Sequence, residues 1–155
     1  MGLPNKPLTG EDASGPASIV IERRVEWSDT DASGHYHNTA AFRLFETAET
    51  LLLARLGMRD DIYGRHPRAR LEADFLCALR FHDPVETEVR VESVGRTSVT
   101  YEWEIRRGAE VCVRGRAVAV LLDRPGGSPV PWPEEYRRRL LSSGPQPTER
   151  LVDDA

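Results

Sequence analysis

Apolar and polar side chains alternate along four stretches of this chain, and the rhythm switches to a helical one in a fifth. Ile19, Ile21, Val25 and Trp27 mark a first strand in residues 18–27. From Ala40 to Leu56 the apolar positions Ala41, Leu44, Phe45, Ala48, Leu52 and Leu56 recur at three- and four-residue steps, which predicts a helix ~25 Å long. Asn38 or Thr39 is its expected N-cap and Gly57 its stop. Apolar side chains surround much of this helix, which implies burial. After Pro67 the alternation returns. Residues 70–81 form a mixed run, residues 85–92 and 99–106 are half-buried strands, and residues 111–122 close the series. Gly95-Arg96 and Arg107-Gly108 turns join the last three strands into an antiparallel meander. PWPEEYRRRLL adds a short C-terminal helix with Pro133 at an early position.

The order strand, helix, four strands predicts an α+β domain in which one long central helix is wrapped by a five-stranded antiparallel sheet. Such a sheet leaves its edges open, so it is expected to pair with a copy of itself. Residues 1–17 and 142–155 are rich in Gly, Pro, Ser and Asp without a period, and are read as a disordered arm and tail around a domain of residues 18–141.

At 155 residues the chain fits one domain with a sizeable core. Its net charge of −4 lacks the basic footprint of a nucleic-acid binder. No apolar run approaches a membrane span, so neither nucleic acid nor membrane is expected as a partner. Lys6 is the single lysine among 21 cationic side chains, which leaves a phosphate-bearing ligand open, because guanidinium forks suit phosphate. Cys77 and Cys112 lack metal spacing and read as buried thiols of a reducing, cytoplasmic compartment.

Unusual side chains concentrate in the loop before the helix: Asp29, Asp31, Ser33, His35, Tyr36, His37 and Asn38. A helix N-terminus there offers free N–H groups and a favourable dipole. A carbonyl held against them would have its developing oxyanion stabilised, and a carboxylate just upstream could act as base or nucleophile. The same residues could equally be turn formers and caps.

The run from Asp29 to Asn38, DTDASGHYHN, followed by Phe45-Glu46 on a helix, resembles the loop of hot-dog-fold thioesterases of the 4-hydroxybenzoyl-CoA thioesterase-like superfamily. It is also similar to the acyl-carrier-protein thioesterases. Asp83-Pro84-Val85, the 94–98 turn and Pro131-x-Pro133 extend the likeness over residues 19–140. The resemblance implies a hot-dog fold and hydrolysis of an acyl-CoA or acyl-carrier-protein thioester to acid and thiol, by a homodimer or homotetramer, without cofactor or metal. It makes Asp31 the nucleophile or general base and His35 a catalytic partner, although Ser33 stands where the carrier-protein type has Asn. Backbone amides of Tyr36 or His37 would form the oxyanion hole. Asn38, Glu46, Arg96, Thr97 and Ser98 would line the substrate, with Glu46 otherwise a buried acid and Asp29 loop scaffolding. His66, Arg68 and Arg70 are surface residues or the rim of a ligand entrance. A non-catalytic acyl-CoA-binding protein and a hydratase or dehydratase are the alternatives. A metal enzyme would need a carboxylate nearer to His35-x-His37, and no G-x-S-x-G marks a serine hydrolase.

Overall fold

The computed structural model describes residues 15–151. Six strands form one sheet in the order β2-β5-β4-β3-β1-β6. They are β1 (Ser18–Arg24), β2 (Arg68–Phe75), β3 (Pro84–Val94), β4 (Ser98–Arg107), β5 (Glu110–Val120) and β6 (Glu149–Arg150). The helices are α1 (Asn38–Arg55), α2 (Arg59–Ile62) and α3 (Glu134–Ser142).

The alternating pattern decides which face of the sheet is covered. Val85, Thr87, Val89 and Val91 on β3, and Val99, Tyr101, Trp103 and Ile105 on β4, are buried toward α1. Their neighbours point outward and pair across strands, as Arg90 does with Glu102 and Arg114 with Glu104. Exposed pairs of this kind contribute little stability each, so the apolar face carries the fold. At its centre the Phe45 ring of α1 stacks on Trp103, with centroids 5.3 Å apart. Opposite Trp103 on β5 stands Gly115. A Cβ built there would collide with the Trp103 ring and with the Glu72 carbonyl.

Three expectations are corrected. The sheet has six strands and is mixed, because β6 runs parallel to β1. The helix, of 18 residues, is not long, and β1, β2, β3 and β4 all contribute side chains against it. It packs chiefly on β1 and β3 and keeps a solvent stripe of Thr39, Arg43, Glu46, Thr50 and Ala54. The second half of the 70–81 run leaves the sheet, since Leu76 and Cys77 both donate to the Cys112 carbonyl, at 2.8 and 3.2 Å, a bulge that ends β2.

The segments read as disordered are ordered where the structure describes them. Ala17 is fully buried. Gln146 donates to the Ser18 carbonyl at 2.8 Å and Leu151 to that of Glu22 at 2.6 Å. The free edge of β1 offers backbone groups that the returning chain satisfies, so side-chain patterning carries no sign of it. The remainder of both segments, residues 1–14 and 152–155, lies outside the described residues.

Gly115→Ala tests the packing at the centre of the sheet. The added methyl group forces Trp103 or β2 to move, and a loss of about 1–3 kcal/mol in urea-unfolding free energy is expected. A variant as stable as the parent would show that the ring has room to spare.

Candidate active site

The loop from β1 to α1 is built on Asp29. A short 3-10 turn, Trp27–Asp29, buries this carboxylate. Its Oδ2 accepts from the Glu26 N–H at 2.9 Å and from Arg23 at 3.0 Å, and its Oδ1 accepts from Arg43 of α1 at 3.1 Å. Asp29 is therefore a scaffold. Beyond it the chain reverses tightly: Gly34, in the left-handed region at φ 82°, donates to the Asp31 carbonyl at 3.0 Å, and Asp31 donates to that of His35 at 3.1 Å.

The Asp31 side chain is exposed at the mouth of a cleft of about 340 Å³. Ser33, His35, Tyr36, His37, Asn38 and residues 75–78 complete the lining. Asp31 Oδ1 accepts from the Ser33 hydroxyl at 2.5 Å and the Ser33 N–H at 2.8 Å, an Asx turn. Those bonds hold the carboxyl below its ordinary pKa, with the hydroxyl contributing most. Oδ2 has no partner among the described residues.

The helix entrance differs from expectation in a way that matters for chemistry. His37 is the N-cap, and its Nδ1 accepts from the Thr39 N–H at 3.1 Å. Tyr36 N–H is bound to the Leu79 carbonyl at 2.8 Å and His37 N–H to that of Asp29 at 2.6 Å. Both amides expected to form an oxyanion hole are therefore already spent. Asn38 N–H, by contrast, has no partner among the described residues.

The other expected site residues separate. The His35 ring borders the cleft without a hydrogen bond to Asp31. Glu46 is exposed on the outer stripe of α1, a correction to the buried acid expected there. Arg96, Thr97 and Ser98 sit at the far end of β3, roughly 33 Å of strand from Pro84 on the cleft side. There the Arg96 carbonyl accepts from Trp132 at 3.0 Å and that of Thr97 from Leu121 at 2.8 Å.

The buried acid is Glu49, one turn after Glu46. It is 5% exposed and held by both terminal nitrogens of Arg68 at 2.7 Å. Burial pushes its carboxyl up, and Arg68 opposes that push. Arg68 in turn lies 4.9 Å from the centroid of the Phe45 ring. His66 packs edge-on to Tyr101 and Trp132, with its Nε2 buried and unpartnered among the described residues. Neither His66 nor Arg68 is ordinary surface. A larger recess of about 920 Å³ runs from Phe42 and Trp103 past Gly115 to the outer charged side chains. It holds none of the loop residues, so it is not the candidate.

The sequence profile of the thioesterase-like superfamily matches residues 25–140, three quarters of the chain. The chain belongs to that superfamily. It is a thioester hydrolase on a hot-dog-like fold. A solved thioesterase from Thermus thermophilus, complexed with coenzyme A and Zn, is 30% identical, with a TM-score of 0.72 over 78% of this chain and 90% of its own. A predicted thioesterase from Bacillus stearothermophilus is 28% identical, with a TM-score of 0.73 over 79% of this chain and 93% of its own. YsmA of Bacillus subtilis (strain 168), an uncharacterized protein, is 28% identical over 120 residues, 76% of this chain and 81% of its own. Among the described residues, no helix of the thioesterase is long and apolar enough to cross a membrane.

The buried imidazole gives the thioesterase a pH signature. Burial, helped by the Arg68 charge, lowers His66 from 6.5 to about 4. Between those values the unfolded chain binds a proton that the folded chain refuses, so stability is present above pH 6.5 and is lost as the pH falls toward 4. Urea unfolding at pH 7 and 4.5 is expected to show about 2 kcal/mol more loss in the parent than in His66→Gln. Equal losses would mean that the imidazole accepts its proton in place.

Proposed function

We propose that the chain hydrolyses acyl-CoA thioesters in the cleft at the start of α1, with Asp31 as the reacting carboxylate and the Asn38 amide as oxyanion donor. One observation supports this reading: Asp31, whose Oδ2 has no partner among the described residues, lines the same cleft as Asn38, whose N–H likewise has none there. The overall reaction adds water to R–CO–S–R′ and yields an acid and a thiol. In one route Oδ2 attacks the carbonyl carbon, the C–S bond breaks, and water then opens the mixed anhydride. In the other, Asp31 takes a proton from water as the C–O bond forms, and the departing sulfur receives a proton. In both, the carbonyl oxygen gains charge, and the Asn38 N–H and the α1 dipole offset it. The lowered pKa keeps Asp31 ionised, as both routes require. His35 borders the acyl group and does not relay protons to Asp31.

Coenzyme A is preferred to a carrier protein for two reasons. The Thermus relative is solved with coenzyme A, and a net charge of −4 repels an acidic carrier. A cytoplasmic setting fits two unpaired thiols.

The reading includes a homodimer joined along β2. Among the described residues that strand pairs only with β5, which leaves its other edge open there. Phe75 at 42% exposure and Leu76 at 54% lie at its end and also line the cleft. A second copy laid on this edge covers them and walls the site. Arg96, Thr97 and Ser98, remote in their own chain, could meet ligand only in another chain's cleft.

Three experiments test the reading. Asp31→Asn is expected to slow thiol release from acyl-CoA at least ~100-fold with an unchanged circular dichroism spectrum. Ser33→Ala, which removes the donor that contributes most to the low Asp31 pKa, is expected to move the acid limb of kcat/KM to higher pH. A near-fully active Asp31→Asn enzyme would refute the assignment. In sedimentation velocity the parent is expected as a dimer or larger, and Leu76→Arg as a monomer with little activity. A fully active monomer would contradict the shared cleft.

A further inference from the structure

A second cluster of chemical groups adjoins the cleft, and the proposed hydrolysis makes no use of it. The bulge that ends β2 sets Cys77 against Cys112, with Cys77 N–H donating to the Cys112 carbonyl at 3.2 Å. Glu110 and Cys112 stand two apart on β5 and so share a face. Both sulfurs and a Glu110 carboxylate oxygen lie within 4.8 Å of one another. Cys112 Sγ is 3.8 Å from Glu110 Oε1.

We propose that Cys77, Cys112 and Glu110 form a binding site for a thiophilic divalent cation of the zinc class, at the rim of the Asp31 cleft. Four arguments support it. The first is size: tetrahedral zinc with ordinary Zn–S and Zn–O bonds spaces its ligand atoms roughly 3.5–3.8 Å apart. The cluster needs only a small contraction. The second is ligand type, since two thiolates select soft or borderline cations over magnesium or calcium. The third is charge. Two thiolates and a carboxylate around a divalent ion leave one negative charge, and Arg107, bonded to Glu110 Oε1 at 2.6 Å and to Asp83 at 3.0 Å, offsets it. Glu110 Oε1 lies 3.8 Å from Cys112 Sγ and also accepts from Arg107, and a carboxylate oxygen has a lone pair for each of two partners. The fourth is access. Cys112 is buried, Cys77 is half-buried in the cleft lining, and Glu110 is exposed, which gives the ion an entry path.

The resting thiols do not act as a reactive pair. Burial pushes Cys112 up to about 11, so without a cation it is a poor nucleophile and a poor target for oxidation. The cation displaces one proton from each thiol into solvent, and no electron moves. Three protein ligands leave a fourth position for water. The buried Tyr36 hydroxyl, unpartnered among the described residues and within electrostatic reach of Cys112, is a neighbour for such a water.

The test uses the full chain, treated with chelator under a reductant and titrated with cobalt(II) as a spectroscopic stand-in. A thiolate-to-cobalt charge-transfer absorption is expected to saturate at one ion per chain and to disappear on adding zinc. Cys77→Ser is expected to abolish it, and Glu110→Gln to weaken affinity at least about tenfold. Asp31→Asn is expected to leave it intact, so the site stands or falls apart from the hydrolase reading. Cys112 is left unchanged because a core substitution there risks the fold, and each variant is checked for a native spectrum. Absence of the band, its survival in Cys77→Ser, or a Cys77–Cys112 disulfide in the reduced preparation would overturn the proposal.

Discussion

The site depends on one buried carboxylate. Asp29 gathers Arg23 from β1, Arg43 from α1 and the Glu26 amide onto its two oxygens, while its own carbonyl takes the His37 N–H. A carboxylate withdrawn from water persists only when paired and hydrogen-bonded, and leaving it unpaired costs several kcal/mol. The β1–α1 loop therefore has one geometry that satisfies the charge. That geometry fixes where the next turn begins, and so where Asp31 emerges.

The loop sets a buried acid and an exposed one two residues apart. Asp29 is covered and bonded at both oxygens, whereas Asp31, two residues on, is exposed, with one oxygen held by Ser33 and the other without a partner among the described residues. The same division runs through the amides of the helix entrance. Tyr36 and His37 hold the loop to neighbouring carbonyls, Thr39 is capped by the His37 ring, and the Asn38 N–H has no partner among the described residues. If Asp31 is the reacting group, as proposed, its pinned loop limits the orientation entropy lost when substrate binds.

Much of this was legible in the sequence, because side chains wrote it there. The alternation along β3, β4 and β5 follows from a sheet with one covered face, and the three- and four-residue steps of α1 from a helix resting on it. The composition of the loop drew attention to Asp31, and its likeness to known thioesterases named the chemistry. What stayed hidden is held by backbone or by tertiary contact. β6 joins the sheet through main-chain bonds that leave no pattern. The bulge at Leu76 and Cys77 ended β2 inside a run that still alternated. Glu49, four residues after Phe45 and three before Leu52, lies nearer the buried face of the helix than Glu46, and the partner that satisfies it, Arg68, arrives from β2 only in the fold. The amides of Tyr36 and His37 looked available because their acceptors, Leu79 and Asp29, are set by the fold.

The central claim is that a thioester carbonyl seats on the Asn38 amide beside Asp31. Amide-resolved NMR with a non-hydrolysable acyl-CoA thioether ketone addresses it directly. The largest downfield amide-proton shift is expected at Asn38, with Tyr36 and His37 nearly unmoved because their protons are already bonded. Largest shifts at Tyr36 and His37, or along the outer face of the sheet at Glu88, Arg90 and Glu104, would contradict it.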